Sequence, residues 1–192
     1  MPRGETIEER PEGLAYRPDF VTEEEERELL ARMDEIDFRE VVMHGQAAKR
    51  TVRHYGLDYG YESWSLAPAE PLPPELVWVR DRCAALADVT PDALAQILVS
   101  RYPPGAGIGW HRDAPMFGAT IVGVSLGAPC RMRFQRTAAG VRRVFALELE
   151  PRSAYVLAGQ ARSAWQHSIP PTKALRYSLT FRTLGNPERW SR

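Results

Sequence analysis

The chain has 192 residues, with 25 lysines and arginines against 25 aspartates and glutamates, and 44% of it is hydrophobic. That length suits one domain with a full core, while the zero net charge excludes a global positive field of the kind that drives nonspecific nucleic-acid binding. No apolar run approaches the roughly 18 residues of a membrane helix, the N-terminus lacks a signal-peptide core, and Cys83 and Cys130 lie far apart, as expected of reduced thiols in a cytoplasmic protein.

In chain order, residues 1 to about 15 are polar and read as a loose arm. Thr22 and Glu25 have capping-box spacing, and Leu29, Leu30, Met33 and Ile36 give a helical stripe to about Asp37. Glu23 to Glu26 suit the positive end of that helix. Residues 39 to 66 read as irregular strands and loops rich in aromatics. A Pro-rich linker, 68–74, ends in a Pro73-Pro74 pair that can open a second helix carrying Leu76, Val79, Cys83 and Leu86. From Ala95 onward come eight β-runs broken by Gly and Pro: 95–102, 108–112, 119–126, 130–136, 142–149, 153–158, 163–168 and 174–183. The expectation is a mainly β protein with flanking helices, a double-stranded β-helix or jelly roll. Residues 1–192 would form a single domain, with helices and a substrate lid in 1–94 and a catalytic core in 95–184.

The chemistry concentrates in that core. His111 and Asp113 are two apart, so on an extended chain they share one face while Trp110 and Arg112 point away. A third ligand, His167, must come from a neighbouring strand. Two imidazoles and one carboxylate make the facial triad that binds non-haem Fe(II) and leaves positions for dioxygen and a co-substrate. Arg176, Ser178, Thr180 and Arg182 alternate with Tyr177, Leu179 and Phe181, which places a row of polar groups inside a barrel. The two arginines could clamp a dicarboxylate such as 2-oxoglutarate. An H-x-D pair alone is usually ordinary surface chemistry. It is the ordered set of His, Asp, distal His and two strand arginines that points to an iron-dependent dioxygenase.

The stretches ILVSRYPPGAGIGWHRD, IVGVSLG and RYSLTFR, within about Gln96 to Leu184, resemble the AlkB-like Fe(II)- and 2-oxoglutarate-dependent dioxygenases. The resemblance implies that His111, Asp113 and His167 ligate iron, and that Arg176, helped by Tyr102, pairs with the distal carboxylate of 2-oxoglutarate. It places Arg182 near the carboxylate at the keto end. Ser100 and Ser178 stand where the family pattern often has Asn; serine's shorter reach implies weaker or water-mediated contact there. The segment from Lys49 to Tyr61 is similar to the substrate lid of AlkB relatives, above all of the branch that includes the animal homologue fused to a tRNA methyltransferase domain.

Lys49, Arg50, Arg53 and His54, interleaved with Tyr55, Tyr59 and Tyr61, have the composition to hold an extruded base. A further basic cluster, Arg131, Arg133, Arg136, Arg142 and Arg143, spans a predicted hairpin. The expected partner is alkylated DNA or RNA, acted on by a monomer that removes methyl groups from bases of the N1-methyladenine and N3-methylcytosine type. Balanced charge keeps a second reading open, a 2-oxoglutarate-dependent hydroxylase or demethylase of a protein side chain or small molecule. A non-catalytic metal-binding barrel is the third, and the complete triad argues against it.

Overall fold

The structure is a computed structural model that describes residues 6–43, 46–60 and 66–186. Its elements in chain order are β1 (Thr6–Glu8), β2 (Leu14–Arg17), α1 (Glu23–Met33), β3 (Arg39–Met43), β4 (Gln46–Tyr55), β5 (Leu57–Tyr59), β6 (Leu66–Pro68) and α2 (Pro74–Leu86). After a 3-10 turn at Pro91–Ala93 come β7 (Gln96–Tyr102), β8 (Ile108–His111), β9 (Phe117–Gly127), β10 (Cys130–Ala138), β11 (Val141–Leu149) and β12 (Ser153–Leu157). The last elements are α3 (Gly159–Ser163), β13 (Gln166–Ile169) and β14 (Arg176–Leu184).

The capping box forms as the spacing predicts. The Glu25 amide donates to Thr22 Oγ1 at 3.2 Å, and the Thr22 amide donates to Glu25 Oε2 at 2.8 Å. The helix stops at Met33 rather than at Asp37, because Asp34 caps it and turns bonded to Arg32 and Met33 carry Glu35 and Ile36 away. Among the described residues the strands form three sheets. One has the order β2-β12-β9-β14-β7-β4-β3, the second β1-β11-β10-β13-β8, and β5 pairs with β6 alone. Pairing is antiparallel throughout except between β1 and β11. The two large sheets face each other as a double-stranded β-helix, which is the predicted jelly roll.

Alternation on the seven-stranded sheet separates two cores. Val122, Val124, Tyr177, Leu179 and Phe181 pack outward beneath the helices, against Leu29, Met33, Leu76 and Val79. On the inner side, Ile121, Tyr155 and Leu157 meet Met132 and Phe134 of the opposite sheet. None of the helices among the described residues is long and apolar enough to cross a membrane.

Three stretches depart from the sequence reading. The arm read in residues 1 to about 15 is not loose over Thr6–Glu8 and from Leu14 onward, where β1 pairs with β11 and β2 with β12. Residues 46–55 are not irregular: they form a ten-residue strand that extends the seven-stranded sheet through β7. The predicted run 163–168 begins late, because Gly159–Ser163 forms a short helix and pairing starts only at Gln166.

Candidate active site

The inner face of β14 and the facing edge of the second sheet hold the polar groups. His111 ends β8 and pairs directly with His167 on β13, so a ladder contact brings the two imidazoles together with ring centroids 4.3 Å apart. Asp113 follows two residues later, with Oδ2 3.5 Å from His167 Nε2. One donor atom from each of His111, Asp113 and His167 lies within 4.8 Å of the others, a spacing that fits one metal ion. The chelating atoms are prepared for it. A carbonyl only accepts, so the 2.9 Å contact between His111 Nδ1 and Gly109 O puts the proton on Nδ1 and leaves Nε2 as the free lone pair.

Electrostatics favour the ligand forms. Burial lowers His111, and burial lowers His167 to about 3, so both imidazoles are neutral at physiological pH. Burial alone would push the Asp113 carboxyl up, but the Arg182 guanidinium, together with His167, His111 and Arg162, outweighs it and holds the group well below the usual carboxylate range. Arg182 Nε donates to Asp113 Oδ1 at 2.9 Å, with Nη2 2.7 Å from the same oxygen, and Nη1 donates to Gln96 Oε1 at 2.9 Å. Phe117 backs the guanidinium at 4.6 Å.

Arg176 stands in contrast. It is fully buried, and Nε donates to Ser125 Oγ at 3.1 Å, while Nη1 and Nη2 have no partner among the described residues. A buried guanidinium with two unsatisfied nitrogens calls for an anion, and a carboxylate matches its fork. The Tyr102 ring lies 5.0 Å from it. Tyr102, Ser100, Ser178 and Thr180 line the same pocket as the triad and Arg182. Ser100 and Ser178 are opposite each other in register, and the Ser100 hydroxyl accepts from Arg50 Nη1 at 3.1 Å.

The segment expected to cover the substrate divides by strand alternation. Arg50 is buried and lines the pocket, and His54 lies on the same face, with Nδ1 3.0 Å from Gln96 Nε2. Tyr55 instead points into the core beneath the helices, and Arg53, on that same side, bonds Glu70 at 2.5 Å. Those two positions are corrected from substrate contact to packing, because residues one apart on a strand cannot share a face. The Lys49 ammonium lies against Gly105 at an exposed edge. Tyr59 packs on Phe117 at 5.6 Å, beside the pocket, and Tyr61 lies outside the described residues.

Three contributors escape the sequence reading. Gln96 orients Arg182 from the neighbouring strand. Tyr155 lines the pocket because Gly123 leaves room for its ring, where a Cβ would overlap it. Arg162 projects from α3 and donates to the carbonyls of Asp113, Ala114, Phe117 and Gly118 at 2.9–3.3 Å, fixing the turn that carries Asp113. Only the glycine at 123 could have signalled any of these, since the other contacts join segments far apart in the chain.

Comparison with known proteins agrees with this site. The family model of the 2OG-Fe(II) oxygenase superfamily matches residues 13–182. An "Alkylated DNA repair protein ALKBH8 homolog" of Arabidopsis thaliana is 32% identical over 184 residues, covering 84% of this chain and 51% of that protein. The tRNA (carboxymethyluridine(34)-5-O)-methyltransferase alkbh8 of Xenopus tropicalis is 31% identical over 170 residues, covering 85% of this chain and 26% of its own length. Escherichia coli (strain K12) AlkB, an alpha-ketoglutarate-dependent dioxygenase, is 37% identical over 118 residues, covering 55% of this chain and 51% of AlkB. The chain thus spans about half or less of these relatives. The solved structure of OsALKBH1 superposes with a TM-score of 0.71 at 15% identity, covering 91% of this chain and 97% of that one, a likeness of fold. With a triad that fits iron and a buried arginine awaiting a carboxylate, the chain belongs to the 2OG-Fe(II) oxygenase superfamily as an AlkB-like dioxygenase dependent on Fe(II), 2-oxoglutarate and O2.

Proposed function

We propose that this dioxygenase removes methyl groups from alkylated nucleic-acid bases in DNA or RNA, of the N1-methyladenine and N3-methylcytosine type, in repair or in RNA modification. The observation that carries the reading is the triad lining one buried pocket, with the unsatisfied Arg176 guanidinium directly behind Tyr102 of that lining. The nucleic-acid substrate is supported by relatives whose names state alkylated-DNA repair, tRNA modification and, in a Danio rerio protein 28% identical over 130 residues, probable RNA/DNA demethylation.

His111, Asp113 and His167 would hold the iron, and Arg176 with Tyr102 would take the distal carboxylate of 2-oxoglutarate. Iron, 2-oxoglutarate and dioxygen together supply the oxidising power that hydroxylates a C–H bond and releases succinate and CO2. The protein's part is placement. Arg182 keeps Asp113 ionised and turned toward the imidazoles, and the hydroxyls of Ser100 and Ser178 line the pocket that would take 2-oxoglutarate. Arg50 and His54 line the side of β4 that faces the site, from which a base would enter. A hydroxylated N-methyl group then collapses to formaldehyde and the free base nitrogen.

The test is anaerobic reconstitution with Fe(II) and 2-oxoglutarate, then exposure to oxygen with matched methylated single-stranded DNA, duplex DNA and tRNA. Succinate and loss of the methyl mark are followed together by mass spectrometry. Coupled formation supports the reading and ranks the substrates. Succinate without demethylation turns the assignment to a protein side chain or small molecule.

A further inference from the structure

We propose that the outer face of the five-stranded sheet binds the backbone of a single-stranded nucleic acid, with Trp110 as its stacking residue. This rests on the nucleic-acid reading above and adds to it a contact surface away from the pocket.

The total charge is zero, yet it is unevenly placed. The run Glu23–Glu26 sits on α1, over the seven-stranded sheet. On the other sheet, β10 turns Met132 and Phe134 inward, which leaves Arg131 and Arg133 exposed on the outer face. The arginines of the β10–β11 hairpin then fall into two groups. Arg136 and Arg143 converge on Glu9 at 3.5 and 2.7 Å, and Arg131 faces Glu148 at 3.5 Å. Arg133 and Arg142, together with Arg112 just past β8, have no carboxylate within 4.0 Å among the described residues.

Neutral groups hold two of these guanidiniums in place without cancelling their charge. Arg133 Nε donates to Ser168 Oγ at 3.2 Å, and its guanidinium lies 5.1 Å over the Trp110 ring. Arg142 Nη2 donates to Gln135 Oε1 at 3.0 Å, and Gln135 Nε2 donates to Gln166 Oε1 at 3.2 Å. A row of cation, amide and amide therefore runs across β11, β10 and β13 toward β8. At that edge Trp110 is 37% exposed, unusual for so large an apolar ring. Fixed cations beside a part-exposed indole, one of them over its ring, match alternating phosphates and unpaired bases, since a duplex leaves no base face free to stack. An acidic peptide would satisfy the arginines and leave the ring unused. Trp110 and His111 are consecutive on an edge strand, so this surface and the ligand-bearing face meet at β8.

The experiment measures binding of a fluorescent 15-nucleotide single strand, with and without one N1-methyladenine, to the full chain loaded with Mn(II) and 2-oxoglutarate, over a range of salt. Trp110→Ala is expected to weaken binding about tenfold, with Trp110→Phe restoring most of it. Arg133→Gln with Arg142→Gln is expected to reduce the salt slope by about 1.4, near 0.7 per lost phosphate contact on a single strand. A thermal melt of each variant identifies loss of fold. Wild-type affinity and slope in both folded variants overturn the surface and leave the demethylase reading standing. No binding by the wild-type chain overturns both. Equal competition by poly-glutamate reassigns the face to acidic polypeptide and overturns the proposal.

Discussion

Arg182 and Arg176 stand on the same strand, on the same face, both buried, and they are in opposite states of satisfaction. Arg182 spends Nε and Nη2 on Asp113 and Nη1 on Gln96. Arg176 bonds Ser125 through Nε, and its other two nitrogens find no acceptor among the described residues. A buried unsatisfied donor costs about 1–3 kcal/mol, so the Arg176 end is destabilising until a ligand arrives. One arginine belongs to the resting architecture of the metal site and the other is held ready for a ligand.

The most damaging change strikes the satisfied end. Asp113→Ala removes a ligand and leaves the Arg182 charge buried and unpaired, a loss of about 3–5 kcal/mol. Succinate formation should fall to background and the melting temperature should drop. Measurable turnover would mean that Asp113 does not serve the metal.

Replacing the two arginines in turn tests the contrast directly. Arg182→Gln should lower metal affinity about 10–100-fold, since it frees a ligating carboxylate from its orienting partner, and should destabilise the ligand-free chain. Arg176→Gln should leave ligand-free stability equal or higher. Its cost should appear as a KM for 2-oxoglutarate raised by about tenfold or more, as expected for a lost charged hydrogen bond. Metal titration, melts with and without 2-oxoglutarate, and a KM series separate the cases. Identical profiles for the two variants would erase the distinction.

A smaller effect comes from His54, whose pKa burial lowers to about 4. Its imidazole is neutral when folded, whereas the unfolded chain protonates it near the ordinary value of about 6.5. Stability is therefore full above about pH 6.5 and falls as pH drops toward 4, with a slope of up to about 1.4 kcal/mol per pH unit. His54→Gln should reduce that slope by its own share in a denaturant series, leaving the shares of His111 and His167, which burial also lowers. Smallest is Thr22→Ala, which should cost about 1 kcal/mol by opening the capping box. Chemical denaturation would read it, and 2-oxoglutarate turnover should be unchanged.

How far the sequence can be read follows from the same physics. Along β14, Arg176, Ser178, Thr180 and Arg182 alternate with three large apolar residues, so the period of two alone separates a polar face from an apolar one. The triad is legible because its spacing matches a ligand set. In β4 the code fails: Lys49, Arg50, Arg53 and His54 place polar groups on both faces, so periodicity carries no sign of which side meets the site. Only the pairing of His54 with Leu98 and of Tyr55 with Ile97 resolves it. Arg162 is invisible for a different reason. Its four acceptors are backbone carbonyls in a turn more than 40 residues earlier in the chain, and a carbonyl leaves no trace in a side-chain pattern.

The short parallel strand β1 guards an edge. By pairing Thr6, Ile7 and Glu8 with Arg142, Arg143 and Val144, it covers the outer border of β11, which would otherwise present a row of open amides and carbonyls to other molecules. Glu9 continues the seal, its amide bonding Val144 O at 3.0 Å while its carboxylate meets Arg136 and Arg143. Shortening the chain past Glu9 would therefore do more than trim an arm. It would uncover a template for edge-to-edge association and release two arginines, so that aggregation rather than lost catalysis would be the first symptom.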